Sequence, residues 1–269
     1  MNDPIYCTTH LTHLVPEGPV PVSVDIGDAR ASNRQFSFST NGFECRRIPS
    51  SVTDWSDQQS IDSRHYAEIR NWSREFTGCD KVLFFPAILR TPSAAKKDSD
   101  YAPIEFAHSD YTEGYADMIK DCDHPYHAIL KPYMAQEALS DEDLKKAKRV
   151  LTLQLWRNVG PALMDHPLAV CDATSVPRNQ LSPFRVERYG GVESQFDSFV
   201  LTPPEPSIQN RWYCYKEMLE DEVLVFRAFD SECVEKGTPF WTPHSAFKDP
   251  HSSGIPRSSV EMRAICLYF

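Results

Sequence analysis

The sequence lacks any apolar run close to the roughly 18 residues that a membrane-spanning helix requires, so we expect no membrane partner. It also lacks a basic surplus, since its 269 residues include 38 Asp and Glu against 28 Lys and Arg, a net charge of −10. A nucleic-acid surface needs a basic footprint, and this acidic balance argues against one. The first residues, Met1 to Pro4, lack the basic and apolar regions of a signal peptide, which predicts a cytoplasmic protein.

Cysteines at metal-binding spacing are absent too, because none of the eight cysteines forms a Cys-x-x-Cys pair. Without an export signal, such cysteines are typical of reduced and mostly buried thiols. Cys171 is followed by Asp172, but no histidine stands at a motif-defining position nearby. A buried strand cysteine is therefore favoured over a catalytic nucleophile.

What the sequence does contain is a series of short apolar or alternating runs. They occupy residues 21–26, 34–38, 81–85, 150–159, 167–172, 198–201, 222–229 and 260–269. The 21 prolines and 10 glycines lie mostly between the runs, which favours many short strands over long helices. Pro86 limits how centrally the run 81–85 can pair.

One segment changes period. From about residue 60 to residue 76 the apolar side chains recur at helical spacing, and Gly78 supplies a stop. We expect this helix to pack outside a sheet, and we expect the polar residues 91–102 to form a mobile loop. The fold class predicted is mainly β with outer α-helices, a double-stranded β-helix (jelly roll), in one domain spanning residues 1–269.

The chemistry begins at His108 and Asp110, which follow a strand-like apolar run. Side chains two apart on an extended backbone point to the same face, so an imidazole nitrogen and a carboxylate oxygen can meet at one point. This pair is two thirds of the 2-His-1-carboxylate site that leaves open positions on non-haem iron(II). His244 is the candidate third ligand, because a jelly roll can bring distant strands together. We predict that these three residues are the catalytic metal ligands.

An Arg-x-Ser pattern follows. Arg257 lies 13 residues after His244, and Ser259 comes two residues later. A guanidinium binds a carboxylate bidentately, and a hydroxyl adds a third bond. The order His-x-Asp, distant His, Arg-x-Ser is the one that iron/2-oxoglutarate oxygenases use, so we expect Fe(II), 2-oxoglutarate as cosubstrate, and O2. Arg263 stays open as the alternative clamp, although on a strand it would point with Glu261, opposite Val260.

The sequence also resembles the fungal hydroxylase/desaturase family that includes gibberellin desaturase-like proteins. The motifs that carry the resemblance are His108-Ser-Asp110-Tyr-Thr, Gly160-Pro161, Pro167-Leu-Ala-Val-Cys171-Asp172, Arg211-Trp-Tyr, Asp221-Glu-Val-Leu-Val-Phe226, Phe229-Asp-Ser231, Pro243-His244-Ser-Ala-Phe247-Lys-Asp-Pro250 and the segment around Arg257. The resemblance implies an iron(II)/2-oxoglutarate-dependent oxidation of a small secondary-metabolite precursor, by hydroxylation, desaturation or oxidative ring closure. Phe85-Pro86-Ala87 and Gln154-Leu-Trp156-Arg157-Asn158 depart from the family pattern, so the substrate does not carry over.

The substrate-binding residues are predicted from aromatic and basic side chains on the expected strands. We expect Arg157 to hold an anionic or polar handle of the substrate in a pocket walled by Phe84, Trp156 and Phe226. The alternative is that Arg157 pairs with an aspartate, either Asp165 or Asp172, and never meets the ligand.

Two other interpretations remain. His124 and His127, with Asp121 and Asp123, form a possible zinc site, and so do His10 and His13, although no thiol pair completes either set. The alternative function is a non-catalytic jelly-roll protein that binds a ligand or metal. The set of His108, Asp110, His244 and Arg257 favours the oxygenase.

Overall fold

The computed structural model describes residues 3–189 and 192–269 of the chain. Its strands are β1 (Ile5–Val15), β2 (Gly18–Asp28), β3 (Phe43–Arg47), β4 (Lys81–Arg90), β5 (His108–Ser109), β6 (Arg149–Asn158), β7 (Leu168–Cys171), β8 (Leu181–Tyr189), β9 (Val192–Leu201), β10 (Trp212–Cys214), β11 (Glu222–Asp230), β12 (His244–Ala246) and β13 (Ser259–Tyr268).

The helices lie mostly in the connections between strands. They are α1 (Phe38–Asn41), α2 (Gln58–Ser60), α3 (Tyr66–Thr77), α4 (Pro92–Lys97), α5 (Tyr115–Lys120), α6 (Pro125–Gln136), α7 (Asp141–Lys146) and α8 (Ser231–Glu235). A π-helical turn, Ile61–His65, joins α2 to α3, so the helical segment is continuous from residue 58 to residue 77. Among the described residues, no helix combines the length and apolar character needed to cross a membrane.

The strands form two sheets. An eight-stranded sheet has the order β1-β2-β10-β7-β12-β5-β9-β8, and a five-stranded sheet has the order β3-β11-β6-β13-β4. Apolar side chains of β4, such as Leu83 and Phe85, share a core cluster with Ile26 and Ala169 of the larger sheet. The two sheets therefore enclose a common core, which is the predicted jelly roll.

The five-stranded sheet is buried on both faces. Along β13, Val260 and Met262 pack in a cluster with Ile69 of α3, whereas Ile265 belongs to the core between the sheets. Because side chains alternate along a strand, residues of the same parity as Ile265 point inward. The inner face of β13 therefore carries Ser259, Glu261 and Arg263.

Most of the predicted elements are present. The helix expected at 60–76 is confirmed, and it ends at Gly78, whose φ of 70° is left-handed. The strand expected at 34–38 is wrong, because Phe38 instead begins α1, which Ser37 caps by accepting a hydrogen bond from the Thr40 amide. The loop expected at 91–102 contains α4, which begins at Pro92. Strand β4 runs through Pro86 by way of a register shift opposite β13.

Candidate active site

Strand pairing brings the two candidate histidine ligands together. His108 opens β5 and His244 opens β12, and the two residues are direct partners in the antiparallel ladder. Their ring centroids lie 4.2 Å apart. Asp110 follows β5, and its carboxylate lies on the same side, so that donor atoms of all three residues fall within 4.8 Å of one another. The spacing expected from the sequence is therefore present in the fold.

Backbone carbonyls fix the orientation of both imidazoles. The Nδ1 atom of His108 lies 2.9 Å from the carbonyl oxygen of Phe106, and Nδ1 of His244 lies 3.0 Å from that of Thr242. A carbonyl can only accept, so each Nδ1 carries the proton and donates it. The unprotonated Nε2 of each ring is left as a metal-binding donor, which is the usual arrangement around a ligating histidine.

Of the two carboxylate oxygens of Asp110, one has a hydrogen-bond partner among the described residues and the other has none. Its Oδ1 accepts a hydrogen bond from Nη2 of Arg263 at 3.0 Å, whereas its buried Oδ2 has no hydrogen-bond partner. A buried carboxylate oxygen without a partner is costly unless something binds it. Together with the two Nε2 atoms, Oδ2 supplies the donor set that a divalent iron requires, so the residues present fit the metal.

The protonation states also suit a metal. Burial opposes ionisation of Asp110, but the Arg263 cation and the neighbouring imidazoles outweigh it and lower the pKa of Asp110 to about 2. Burial, followed by the neighbouring His244, lowers the pKa of His108 to about 3. Near neutral pH the carboxylate is therefore charged and His108 is neutral, which are the forms that bind metal.

A small polar cavity lies between the histidines and the opposite sheet. His108 and His244 line it from the eight-stranded sheet, and Arg90, Gln154, Glu261 and Arg263 line it from the five-stranded sheet. Its remaining lining residues are Ile104, Leu168, Ala246 and Arg257. The candidate metal ligands thus face a cationic wall.

The three arginines that line the cavity have different interaction partners. Arg90 forms an ion pair with Glu261 at 2.9 Å, and Arg263 forms one with Asp110 at 3.0 Å. Arg257 has no carboxylate in an ion pair within the described part of the chain. Its Nη1 donates to the carbonyl of His166 at 3.2 Å, and its buried Nε has no partner.

Among the described residues that line the cavity, Arg257 is therefore the arginine whose guanidinium has no ion-pair partner. Burial, followed by the repulsion from Arg90, lowers the pKa of Arg257 to about 10, so it remains charged at neutral pH. Ser259, two residues on, is fully buried, and its Oγ has no hydrogen-bond partner. An unpaired guanidinium and an unpaired hydroxyl on one chain segment are what a carboxylate would satisfy.

The predicted aromatic walls divide between the two faces of the sheet. The ring of Phe226 lies 4.6 Å from that of His244, and the indole of Trp156 lies 5.7 Å from the guanidinium carbon of Arg257. Phe84 instead lies on the outer face, where its ring contacts Tyr66 of α3 at 5.1 Å. Phe84 is thus separated from the cavity by the sheet, and we do not retain it as a wall of the substrate pocket.

Arg157 also lies on the outer face. It alternates with Trp156 along β6, and its Nη atoms donate to the carbonyls of Ile48 and Glu220. Neither of the aspartates considered as partners pairs with it. Its contacts lie behind the sheet, away from the histidines, and Arg157 is therefore left out of the substrate pocket proposed below.

Comparison with known proteins identifies the family of this chain. The family model described as "Oxidoreductase/YMDC permease-like domain" matches residues 9–267. The chain belongs to this family. The expected kinship with fungal iron/2-oxoglutarate hydroxylase/desaturases is confirmed by its curated relatives.

Two of these relatives show the kinds of enzyme that the chain resembles. Hydroxylase/desaturase CTB9 of Cercospora beticola is 28% identical, over 92% of this chain and 76% of its own length. The Fe(II)/2-oxoglutarate-dependent dioxygenase nvfI of Aspergillus novofumigatus is 26% identical, over 93% of this chain and 84% of its own length. A solved structure, titled "iron and alpha-ketoglutarate-dependent endoperoxidase NvfI", superposes with a TM-score of 0.75 at 22% identity, covering 98% of each chain. This structural likeness shows that the fold is shared.

Gln154 is a cavity residue to which the sequence gave no individual role, although it belongs to a segment expected near the substrate pocket. It lies on the inner face of β6, lines the cavity, and has a buried Oε1 without a hydrogen-bond partner. The only sequence signal was its place in the motif Gln154-Leu-Trp156-Arg157-Asn158, where this chain departs from the family pattern. The departure pointed to the segment as a whole, and it did not distinguish Gln154 from Arg157, to which the substrate-binding role was assigned.

Proposed function

We propose that this protein is an iron(II)/2-oxoglutarate-dependent oxygenase that oxidises a small secondary-metabolite precursor. The observation that carries the proposal is the cavity between the two sheets. On one side His108, Asp110 and His244 offer a facial donor set, and on the other the buried guanidinium of Arg257 forms no ion pair with a carboxylate of the described residues. Such an enzyme consumes O2 and 2-oxoglutarate and releases succinate and CO2 as the substrate is oxidised.

The iron would be held by Nε2 of the two histidines, whose Nδ1 atoms bond to backbone carbonyls, and by Oδ2 of Asp110, which has no hydrogen-bond partner among the described residues. When bound there, iron(II) supplies the oxygen chemistry that couples decarboxylation of the 2-oxo acid to oxidation of the substrate. A facial donor set leaves positions open for the cosubstrate and O2.

The far carboxylate of 2-oxoglutarate would bind Arg257 and Ser259. This assignment is supported over the alternative clamp, Arg263, because Arg263 already forms an ion pair with Asp110 at 3.0 Å. Arg263 instead keeps Oδ1 of Asp110 engaged and leaves Oδ2 for the metal. Gln154 adds an amide oxygen to the same cavity, within reach of ligand donors.

The substrate is a small molecule that enters the space bordered by Phe226 and Trp156. Aromatic walls with a few polar anchors are typical of pockets for small organic ligands. We further propose that the enzyme works as one domain over residues 1–269 in the cytoplasm, which the match over residues 9–267 supports for the domain.

Anaerobic iron binding tests the proposed ligands. The wild-type chain should bind Fe(II) tightly, whereas His108→Ala and His244→Ala should each lose that binding and keep the far-UV circular dichroism of the folded protein. His251→Ala, which changes an exposed histidine, is the control and should bind normally. Unchanged iron affinity in both ligand variants would exclude this site.

A substrate screen separates catalysis from mere binding. Candidate small metabolites, including free amino acids, are added to the iron-loaded protein, and succinate release from 2-oxoglutarate is measured. An oxygenase gives stimulated release with its own substrate class, whereas a non-catalytic relative binds iron and 2-oxoglutarate without turning the cosubstrate over.

A further inference from the structure

A second group of metal-type side chains lies away from the cavity, where three helices meet. Cys122 stands between α5 and α6, His127 lies in the first turn of α6, and Asp141 begins α7. One donor atom from each of these residues lies within 4.8 Å of the other two. The sequence suggested His127 as a zinc ligand with other partners, but His124 instead caps α6 by accepting from the Tyr126 amide at 3.1 Å.

His127 is buried and only partly satisfied. It is 1% exposed, and its Nε2 lies 3.0 Å from Oδ1 of Asp141. Its buried Nδ1 has no hydrogen-bond partner. A buried ring nitrogen without a partner costs free energy, so this imidazole has capacity for one more interaction.

The sulfur of Cys122 is half-buried and lies beside the ammonium of Lys145. Cysteine binds metals through its sulfur, as the thiolate. The hydrogen bond recorded for the Cys122 thiol is a weak one to the carbonyl of Lys120, at 3.8 Å, which a metal can replace.

We propose that Cys122, His127 and Asp141 bind one divalent cation of the zinc class, with water as the fourth ligand. Sulfur, imidazole and carboxylate are the donors that tetrahedral zinc takes, at bond lengths of about 2.0 to 2.3 Å. Tetrahedral angles then place donor atoms roughly 3.5 Å apart, so donors within 4.8 Å of one another close around the ion by small side-chain movements. Binding releases the thiol proton to solvent.

The proposed site is open to solvent, and a bound ion would connect three segments of the chain. The side chain of Asp141 is 47% exposed, so the ion and its water can reach the site from solvent. Once bound, the ion connects the segment before α6, the α6 helix and the start of α7. Tyr126, next to His127, forms a hydrogen bond through its hydroxyl with Tyr111 at 2.8 Å, and Tyr111 follows Asp110, so α6 connects this site to the residue beside a candidate iron ligand.

Cobalt titration tests the proposal on the full-length, metal-free chain under anaerobic and reducing conditions. Co(II) bound by a thiolate gives an intense sulfur-to-metal charge-transfer absorption that a site of histidine and carboxylate cannot give. Of the two clusters of metal-type donors among the described residues, only the one at Cys122 contains a cysteine, so this absorption distinguishes it from the cavity ligands. We expect it to appear in the wild type and to disappear when Zn(II) is added.

Variants assign the signal. Cys122→Ser should abolish the absorption, and Asp141→Asn, at a half-exposed side chain, should weaken Co(II) binding at least about tenfold without disturbing the fold. Cys45→Ser, at a half-buried cysteine of β3, is the matched control and should keep the absorption. His108→Ala should also keep it, which separates this site from the proposed iron site.

Two results would overturn the proposal. One is the absence of charge-transfer absorption in the wild type at saturating Co(II), and the other is an absorption that persists in Cys122→Ser. A melting-temperature measurement adds an independent check. In the His108→Ala/His244→Ala background, Zn(II) should raise the melting temperature, and adding Cys122→Ser should remove that increase.

Discussion

At the scale of single residues, the two arginines considered as 2-oxoglutarate ligands differ in their interaction partners. Arg257 and Arg263 are both buried and both line the cavity. Arg263 neutralises Asp110, whereas in the described part of the chain the hydrogen bond of the Arg257 guanidinium goes to a backbone carbonyl. A buried guanidinium without an ion-pair partner is costly, and the proposed 2-oxoglutarate carboxylate would offset that cost.

Replacing Arg257 by Lys tests this role. The charge remains, but the bidentate fork is lost, so the KM for 2-oxoglutarate should rise at least about tenfold while the KM for the substrate changes little. Steady-state kinetics measured by succinate release provide the comparison. Arg90→Lys, at the arginine paired with Glu261, is the control. A defect seen in Arg263→Lys but not in Arg257→Lys would transfer the clamp to Arg263.

Arg263 should behave as the counter-ion that stabilises the metal-free protein. In Arg263→Gln the buried Asp110 loses its cation, which costs about 3 to 5 kcal/mol for a broken buried pair. The metal-free variant should therefore melt at a lower temperature, and a divalent metal should recover more stability than it does in the wild type, because it becomes the main positive charge beside Asp110. Differential scanning calorimetry with and without Mn(II) measures both quantities. Equal metal-induced shifts in the two proteins would refute the role.

At the scale of secondary structure, the sequence predicts which segments are strands better than which way they face. The run 150–159 forms strand β6, in which the leucines at positions 151, 153 and 155 alternate with Thr152 and Gln154, but both faces of the strand are buried. The alternation therefore does not indicate which face lines the cavity, and Arg157, which lies on the face of the leucines, was expected in the substrate pocket. By contrast, the helix at 60–76 has one apolar face, so its period was visible.

This helical segment carries a pH-dependent contribution to stability. Burial, followed by the nearby Arg157 cation, lowers the pKa of His65 to about 4. In the unfolded chain a histidine titrates near 6.5, so between these values the unfolded state binds more protons than the folded state. Stability should therefore fall as the pH decreases from about 6.5 to about 4, by a total on the order of 3 kcal/mol.

In His65→Gln the free energy of unfolding should fall less between a pH of about 6.5 and a pH of about 4, because glutamine does not take up the proton. The free energy of unfolding in urea at a series of pH values gives the slope. His10→Gln, at an exposed histidine of β1, serves as the control and should keep the slope of the wild type. If His65→Gln keeps the wild-type slope as well, the loss of stability at acid pH does not come from His65.

At the scale of the whole molecule, the site depends on two facing sheets. His108 and His244 are distant in the sequence, but β5 and β12 are neighbours in one sheet. Strands β4, β6 and β13 place Arg90, Gln154 and Arg263 opposite them, and Arg257 lies just before β13. The His-x-Asp spacing, the later His and the Arg-x-Ser pattern were readable because each is local. The Arg90–Glu261 pair and Gln154 were not, since they depend on cross-strand register that no local pattern specifies.

The central claim is that Asp110 and the two histidines support iron-dependent turnover of 2-oxoglutarate. The most direct test measures succinate formed from 2-oxoglutarate in air by the Fe(II)-loaded wild type and by Asp110→Asn. Asp249→Asn is the control, because Asp249 is similarly buried and an asparagine there can still accept the hydrogen bond from Tyr6. The account predicts that Asp110→Asn forms succinate at least about a hundredfold more slowly than the wild type and the control. Turnover by Asp110→Asn at the wild-type rate would contradict it.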